Sequence, residues 1–192
     1  MNLEAKILIG LERVSEALKS LLWEKAKIYG VSPIQNQILL FVAGHKTKIC
    51  NVSHLAKEFN VTKATISDAV RVLLKKELLE KDLSPSDSRR YNLSLNSKGK
   101  ELVSNLSGYA AQFEEELSSF PKKDLGTVYD TLTKLIYQLN QQDIIQVQRT
   151  CYNCKFYSGD RVDSHYCTLL KSKLKNREIR LDCNEFEEEV NG

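Results

Sequence analysis

The stretch NVTKATISDAVRVLLKKELLEK, residues 60–81, decides how the whole chain is read. Ile66, Val70, Leu73 and Leu74 fall at i, i+4, i+7 and i+8, so one face of a helix is apolar and must point inward. The opposite face carries Lys63, Ala64, Ser67 and Arg71, side chains that are small or cationic near the N-terminal end. Thr62 stands where an N-cap is needed. Just upstream, Asn51–Phe59 reads as a short helix with Val52, Leu55, Ala56 and Phe59 on one side. A short helix, a tight turn and then a helix with a lean outer face form a helix-turn-helix pattern.

Working outward, ELLEKDLS (77–84) and RRYNLSLN (89–96) bracket PSDS. In the second, Tyr91, Leu93 and Leu95 alternate with polar residues as a half-buried strand does, and Pro85 and Asp87 supply turn chemistry. A β-hairpin directly after the outward-facing helix is a wing. Upstream, Leu3, Ile7, Leu11, Val14, Leu18 and Leu21 step by three and four along a long amphipathic helix. Gly30 and Ser32-Pro33 end it and open a second, largely buried helix over 34–43. Downstream, Asn96-Ser97-Lys98-Gly99 starts a helix with Leu102, Leu106, Tyr109, Phe113 and Leu117 on its stripe, interrupted by Pro121. A last helix runs from about 122 to 142 with Leu125, Val128, Leu132, Leu135, Ile136 and Leu139 inward.

The chain has 192 residues and a formal charge of only +3, so global charge says little about partners. Between 61 and 100, however, nine Lys/Arg stand against five Asp/Glu, a modest basic patch. The N-terminal helix is interrupted by charges throughout, which excludes a signal-peptide core and a membrane span there and makes the cytoplasm the expected compartment.

Three stretches resemble the MarR family of bacterial regulators. VTKATISDAVRVLLKKELLEK is similar to that family's recognition helix leading into the wing. DSRRYNLSLNSKG, residues 87–99, resembles its wing signature, in which Asp-x-Arg is followed by alternating leucines and a Thr/Ser-x-x-Gly helix start. The third likeness is the flanking architecture of long first and last helices. Asp87, Arg89, Leu93, Leu95 and Gly99 all fall in place, while Asn96 stands where the family usually has Thr; Asn caps a helix as well. The resemblance covers roughly residues 1–145. It implies a homodimer joined through the first-helix seam and the last two helices, whose apolar stripes are too long to be used inside one small winged helix. Two recognition helices would then meet double-stranded DNA at a pseudo-palindromic operator about one turn apart. Lys63, Thr65, Ser67 and Arg71 would reach the major groove, and Thr62 with the helix N-terminus would hold a phosphate. Arg89 would enter the minor groove, held by Asp87, with Arg90 near a phosphate. Many relatives bind a small aromatic or anionic effector between wing domain and dimer helices. His54 is expected at the surface. Cys50 is expected to be a plain small residue, with a redox switch as the rival reading.

The last quarter of the chain is different. Cys151, Cys154, Cys167 and Cys183 are spaced C-x2-C-x12-C-x15-C. In a reducing compartment such cysteines point to metal binding or redox chemistry before disulfides. Seven Lys/Arg against eight Asp/Glu from 151 to 192 do not indicate a second nucleic-acid surface. A segment this short lacks a convincing core, so a metal staple makes sense. Four thiolates suit tetrahedral Zn2+ and equally a 4Fe–4S cluster. A single C-x-x-C knuckle departs from zinc ribbons, and the run loosely resembles small high-potential-type iron–sulfur modules, with Phe156, Tyr157, Tyr166 and Phe186 as shielding aromatics. Zinc has the higher base rate, and the choice stays open. His165 is a substitute ligand or, more simply, an exposed neighbour.

The expected fold is mainly α with a small β-wing: a winged helix-turn-helix flanked by long dimerisation helices (1–145) plus a cysteine-rich module (146–192). The expected function is a homodimeric, sequence-specific, non-enzymatic transcription regulator, modulated by a ligand or through the cysteines. The rival is an iron–sulfur redox or electron-transfer protein that uses the winged helix for assembly only; it is disfavoured by the lack of any Gly-rich cofactor loop or nucleophile–base arrangement. A third reading gives the winged helix protein contacts alone.

Overall fold

The structure, a computed structural model, describes residues 1–84 and 87–188, and leaves the side chains of 83–90 outside the description. It divides into two compact units, Met1–Glu116 and Leu117–Gly192. In the first, α1 (Leu3–Ile28) opens on Asn2, whose side chain accepts from the Ala5 amide. α2 (Pro33–Gly44) opens on a capping box in which Ser32 and Gln35 satisfy each other's backbone. A 3-10 turn (Thr47–Ile49) leads to α3 (Val52–Glu58), and α4 (Lys63–Lys75) follows. The wing is the antiparallel pair β1 (Leu79–Ser84) and β2 (Asp87–Leu95), in register Leu79↔Leu95 and Lys81↔Leu93, with an irregularity at Leu83/Ser84. α5 (Ser97–Leu106) closes the set, capped by Asn96, whose side chain accepts from Gly99 at 2.9 Å. The winged helix-turn-helix read from the sequence is therefore present.

Its core is one cluster. Ile38 and Leu39 of α2, Leu55 of α3, Ile66 and Leu73 of α4, Leu93 of β2 and Leu106 of α5 are all fully buried. Three helices end in the same device, a left-handed residue that lets the next amide bond back five residues. Gly30 (φ 63°), Asn60 (φ 52°) and Glu77 (φ 55°) take that conformation. Val31, Val61 and Leu78 then donate to the carbonyls of Ala26, Ala56 and Leu73, each at 3.0 Å. The turn between α3 and α4 is the second of these, so Asn60 sets the angle at which α4 leaves α3. Cys50 is more than a small filler: it is fully buried, and its carbonyl accepts from the Leu93 amide at 2.7 Å, tying the wing to the start of α3.

Two expectations are corrected here. The single helix expected from Ser97 to Pro121 is two, α5 and α6 (Ala111–Ser118), separated by a turn at residues 107–110. Ser107-Gly108 are weak helix formers, and the chain spends those residues on i→i+3 bonds, Tyr109 to Leu106 and Ala111 to Gly108. The boundary placed near 145 also differs: α7 (Lys122–Gln141) belongs to the same compact unit as the cysteine segment. The reason is side-chain chemistry on one face of α7. The Tyr129 hydroxyl donates to the Ile179 carbonyl, and Tyr137 meets the ring of Tyr152 edge-on at 5.7 Å. The second unit also holds a three-stranded antiparallel sheet, β3 (Tyr157–Gly159), β4 (His165–Cys167) and β5 (Ser172–Leu174), in that order.

The apolar seams of the long helices are not consumed within either unit. On α1, Leu3 and Ile7 are 68% and 51% exposed, and on α7 Val128 is 54% exposed.

Gly99 has a specific physical role. A Cβ there would lie 2.0 Å from the Leu78 carbonyl oxygen, a backbone atom that cannot swing away. Gly99→Ala is expected to destabilise the protein by about 1–3 kcal/mol, the usual cost of overpacking. The readout is a lower urea midpoint for the first unit's transition at unchanged slope.

Candidate nucleic-acid interface and four-cysteine site

The outer face of α4 is built by what the inner face buries. Ile66, Ala69, Val70 and Leu73 are buried, which turns Lys63, Ala64, Thr65 and Arg71 to solvent and leaves Ser67 half-buried. Thr62 caps the helix, accepting from the Thr65 amide at 3.1 Å, and its hydroxyl lies 2.9 Å from that of Thr65. The first-turn amides of α4 thus open outward beside a cation, an arrangement suited to an anion. Arg71 is not alone: its guanidinium donates to Asp68 at 2.7 Å, with both side chains well exposed. Asp68, which the sequence reading passed over, is its i,i+3 neighbour, a spacing visible in the sequence.

Other basic residues of the 61–100 patch have structural work. Lys76 donates to the Gly30 carbonyl at the end of α1, and Lys81 sits 4.3 Å over the Tyr91 ring. Asp87, Arg89 and Arg90 lie on β2 by backbone; their side chains, like Pro85 of the expected turn, fall outside the described residues. His54, expected at the surface, is instead largely covered. Its ring lies 5.8 Å from that of Phe41, and Nε2 is 3.7 Å from the Glu58 carboxylate. The 3.6-residue period brings it to the edge of the face that Leu55 buries.

In the second unit, residues 149–151 and 180–183 are laced together. Cys151 donates its amide to Arg180, Cys183 donates to Arg149, and the Arg149 guanidinium grips Asp182 at 2.7 and 3.2 Å. A 3-10 turn over Cys151–Asn153 brings the Cys154 amide to the Cys151 carbonyl at 3.0 Å. Cys167 arrives on β4, and Thr168 donates to the Phe156 carbonyl at 2.8 Å, fastening β4 beside the knuckle. All four thiols line one cavity of about 30 Å³, together with Phe156, Tyr157, Leu169, Leu174 and Glu185. The cysteines are free thiols. Arg180 contributes its backbone amide to Cys151 Sγ at 3.3 Å and its guanidinium to Cys183 Sγ at 3.6 Å. Burial pushes the Cys151 thiol up; the Arg180 amide pulls it down, and the other three thiols add to the rise. Among the described residues, no group of three or more His, Cys, Asp or Glu side chains is disposed to hold a single metal ion.

His165, expected to be exposed, is buried. Its Nδ1 bonds the Tyr157 hydroxyl at 2.7 Å and Nε2 faces the Asn176 side chain at 3.2 Å. Both ring nitrogens are engaged, and the ring packs with Tyr152 and Tyr157. No sequence pattern marked this, because its partners come from three separate segments. Tyr152 is the hub of the unit, fully covered, with burial pushing its hydroxyl up to about 12.

The arrangement of α3, turn, α4 and hairpin defines the class: a winged helix-turn-helix protein. Residues 29–90, from the end of α1 into the wing, match the model of the MarR family. No curated protein matches the chain. Among solved structures, Staphylococcus aureus MepR in its DNA-binding conformation superposes with a TM-score of 0.61 at 22% identity, covering 69% of this chain and 98% of MepR. The MepR–DNA complex gives 0.59 at 23%, covering 67% and 95%. A MarR transcriptional regulator from Methanosarcina mazei Go1 gives 0.60 at 19%, covering 72% and 98%. These likenesses are of fold. Roughly three tenths of this chain has no counterpart in them. Among the described residues, no helix is long and apolar enough to cross a membrane.

The loop that delivers β4 depends on Asp160, whose carboxylate accepts from the amides of Val162, Asp163 and Ser164 at 2.8–3.0 Å. Those three amides hold its carboxyl at about 2, below the ordinary 3.8. A depressed folded value means the stabilisation is complete above the unfolded value and is lost as pH falls towards about 2. The amide-proton shifts of Val162, Asp163 and Ser164 should therefore titrate together with a midpoint near 2, and Asp160→Ala should abolish the step.

Proposed function

We propose that the protein is a MarR-type, sequence-specific DNA-binding transcription regulator, non-enzymatic and cytoplasmic, acting as a homodimer on a pseudo-palindromic operator. The observation that carries this reading is α4. Its inner face is consumed by the core, while its capped N-terminal end presents Lys63, Thr65 and, about two turns on, Arg71 to solvent. A helix that enters a major groove needs a face without bulk and with hydrogen-bond donors near its start. Thr62 and the first-turn amides take a phosphate, Lys63, Thr65, Ser67 and Arg71 face base edges and backbone, and the wing sends Arg89, oriented by Asp87, into the minor groove with Arg90 near a phosphate. MepR, which shares the fold, has been crystallised with DNA. The Arg71–Asp68 pair is exposed on both sides, so it is weak and can be exchanged for a phosphate or a base.

The dimer reading rests on the open seam of α1, whose exposed Leu3, Ile7 and Val14 fall at helical spacing, and on the exposed Val128 of α7. The effector reading is supported by a groove of about 380 Å³ in the first unit, where Tyr29, Leu78 and Leu102 lie beside Lys76 and Lys98, a lining suited to a small aromatic acid.

Gel shifts on the DNA upstream of the protein's own gene test the main claim. Arg71→Ala and Arg89→Ala are each expected to weaken specific binding about 10- to 100-fold, the range for a lost base or groove contact. Binding of both variants at wild-type strength, with wild-type salt dependence, would overturn the assigned DNA contacts. Sedimentation of Ile7→Glu should show a monomer where the wild type shows a dimer.

A further inference from the structure

We infer that Cys151, Cys154, Cys167 and Cys183 ligate a 4Fe–4S cluster rather than a zinc ion. This goes beyond the regulator reading and does not rest on it. The four thiols come from a 3-10 turn, the residue after it, a strand and a C-terminal loop, and the fold converges them on one cavity.

The shape of the space between them separates the two candidates. Zinc takes four sulfurs at about 2.3 Å, which draws neighbouring sulfurs to roughly 3.8 Å and leaves nothing between them but the ion. Here the four thiols line a cavity of about 30 Å³, larger than the ~10–15 Å³ that one water needs. A 4Fe–4S cluster is itself a body of eight atoms, with one cysteine on each iron, and asks for four thiolates held apart around a space of its own.

The lining agrees. Phe156, Tyr157, Leu169 and Leu174 supply apolar walls, with Glu185 also in the lining. A cluster with four thiolates carries negative charge, and one residue answers it twice: the Arg180 amide bonds Cys151 Sγ and its guanidinium bonds Cys183 Sγ. Hydrogen bonds and positive charge at ligand sulfurs stabilise the reduced state and so raise the reduction potential. His165 is not needed as a ligand, because both its nitrogens are already bonded. Arg149–Asp182 and the Cys151–Arg180 backbone bond join the segments that carry Cys151 and Cys183.

The test uses the full chain, purified anaerobically, then stripped and divided between ferrous iron with sulfide and zinc alone. The expected result is about four irons and four acid-labile sulfides per chain, with a broad blue–violet absorption that bleaches on reduction. About one zinc per chain without labile sulfide, or iron and sulfide at about two per chain, would overturn the inference. So would failure of the stripped chain to take up iron and sulfide. Cys167→Ser and Cys183→Ser should lose the absorption; since either variant could misfold, Arg180→Ala gives the second reading. Arg180 is exposed and is not a ligand, so that variant should keep about four irons and show a lower midpoint potential. An unchanged potential would overturn the assignment of Arg180 as a donor to the cluster.

Discussion

Everything in the first unit follows from burying one side of α4. Ile66, Val70 and Leu73 pack with Ile38, Leu39, Leu55 and Leu93, and each such side chain contributes about 1.5–3 kcal/mol on burial. That packing leaves α4 no rotational freedom. Thr62, Lys63, Thr65 and Arg71 face solvent because the positions between them are committed inward. The left-handed Asn60 fixes the helix's departure from α3, and the Leu93–Cys50 hydrogen bond fixes the wing beside it. Interface and core are two faces of one periodicity.

The second unit is held together differently. Its buried residues are few and mostly polar or aromatic: Thr133, Arg149, Thr150, Tyr152, Cys154, His165 and Ile179. A unit of this size has little apolar area to bury, so it relies on cross-links between distant segments. Arg149 reaches Asp182, Tyr129 reaches Ile179, Asn153 reaches Asn140, and Arg161 donates to the Tyr152 carbonyl. A group held by four cysteines would join the same four segments at one point. In such a frame the cysteines are structural members as well as ligands.

The two units also divide the long helices between them. α1 supports the winged helix and α7 supports the cysteine module, yet each keeps apolar residues on its outer side. The face of α7 that carries Tyr129, Thr133 and Tyr137 is the one used internally. The stripe expected inward is half-buried beside it at Leu125, Leu132, Leu135, Ile136 and Leu139. The Tyr129 hydroxyl and the Tyr137 ring add contacts to a carbonyl and a ring of the cysteine segment, and Thr133 bonds its own helix.

From the sequence alone came the elements whose logic is local. Periodicity placed α1, α2, α3, α4 and α7, alternation placed β2, and the caps at Thr62 and Asn96 were legible because a cap involves residues three apart. The outward set on α4 followed from the same arithmetic, and so did the existence of four related cysteines. Tertiary structure decided what depends on distant partners. It split α5 from α6, moved α7 to the cysteine unit, buried His165 between Tyr157 and Asn176, and gave Gly99 its reason in the Leu78 carbonyl. It also brought the four cysteines to the lining of one cavity. Spacing along a chain counts candidate ligands, but only folding gathers them, because the contacts that do so join segments far apart in sequence.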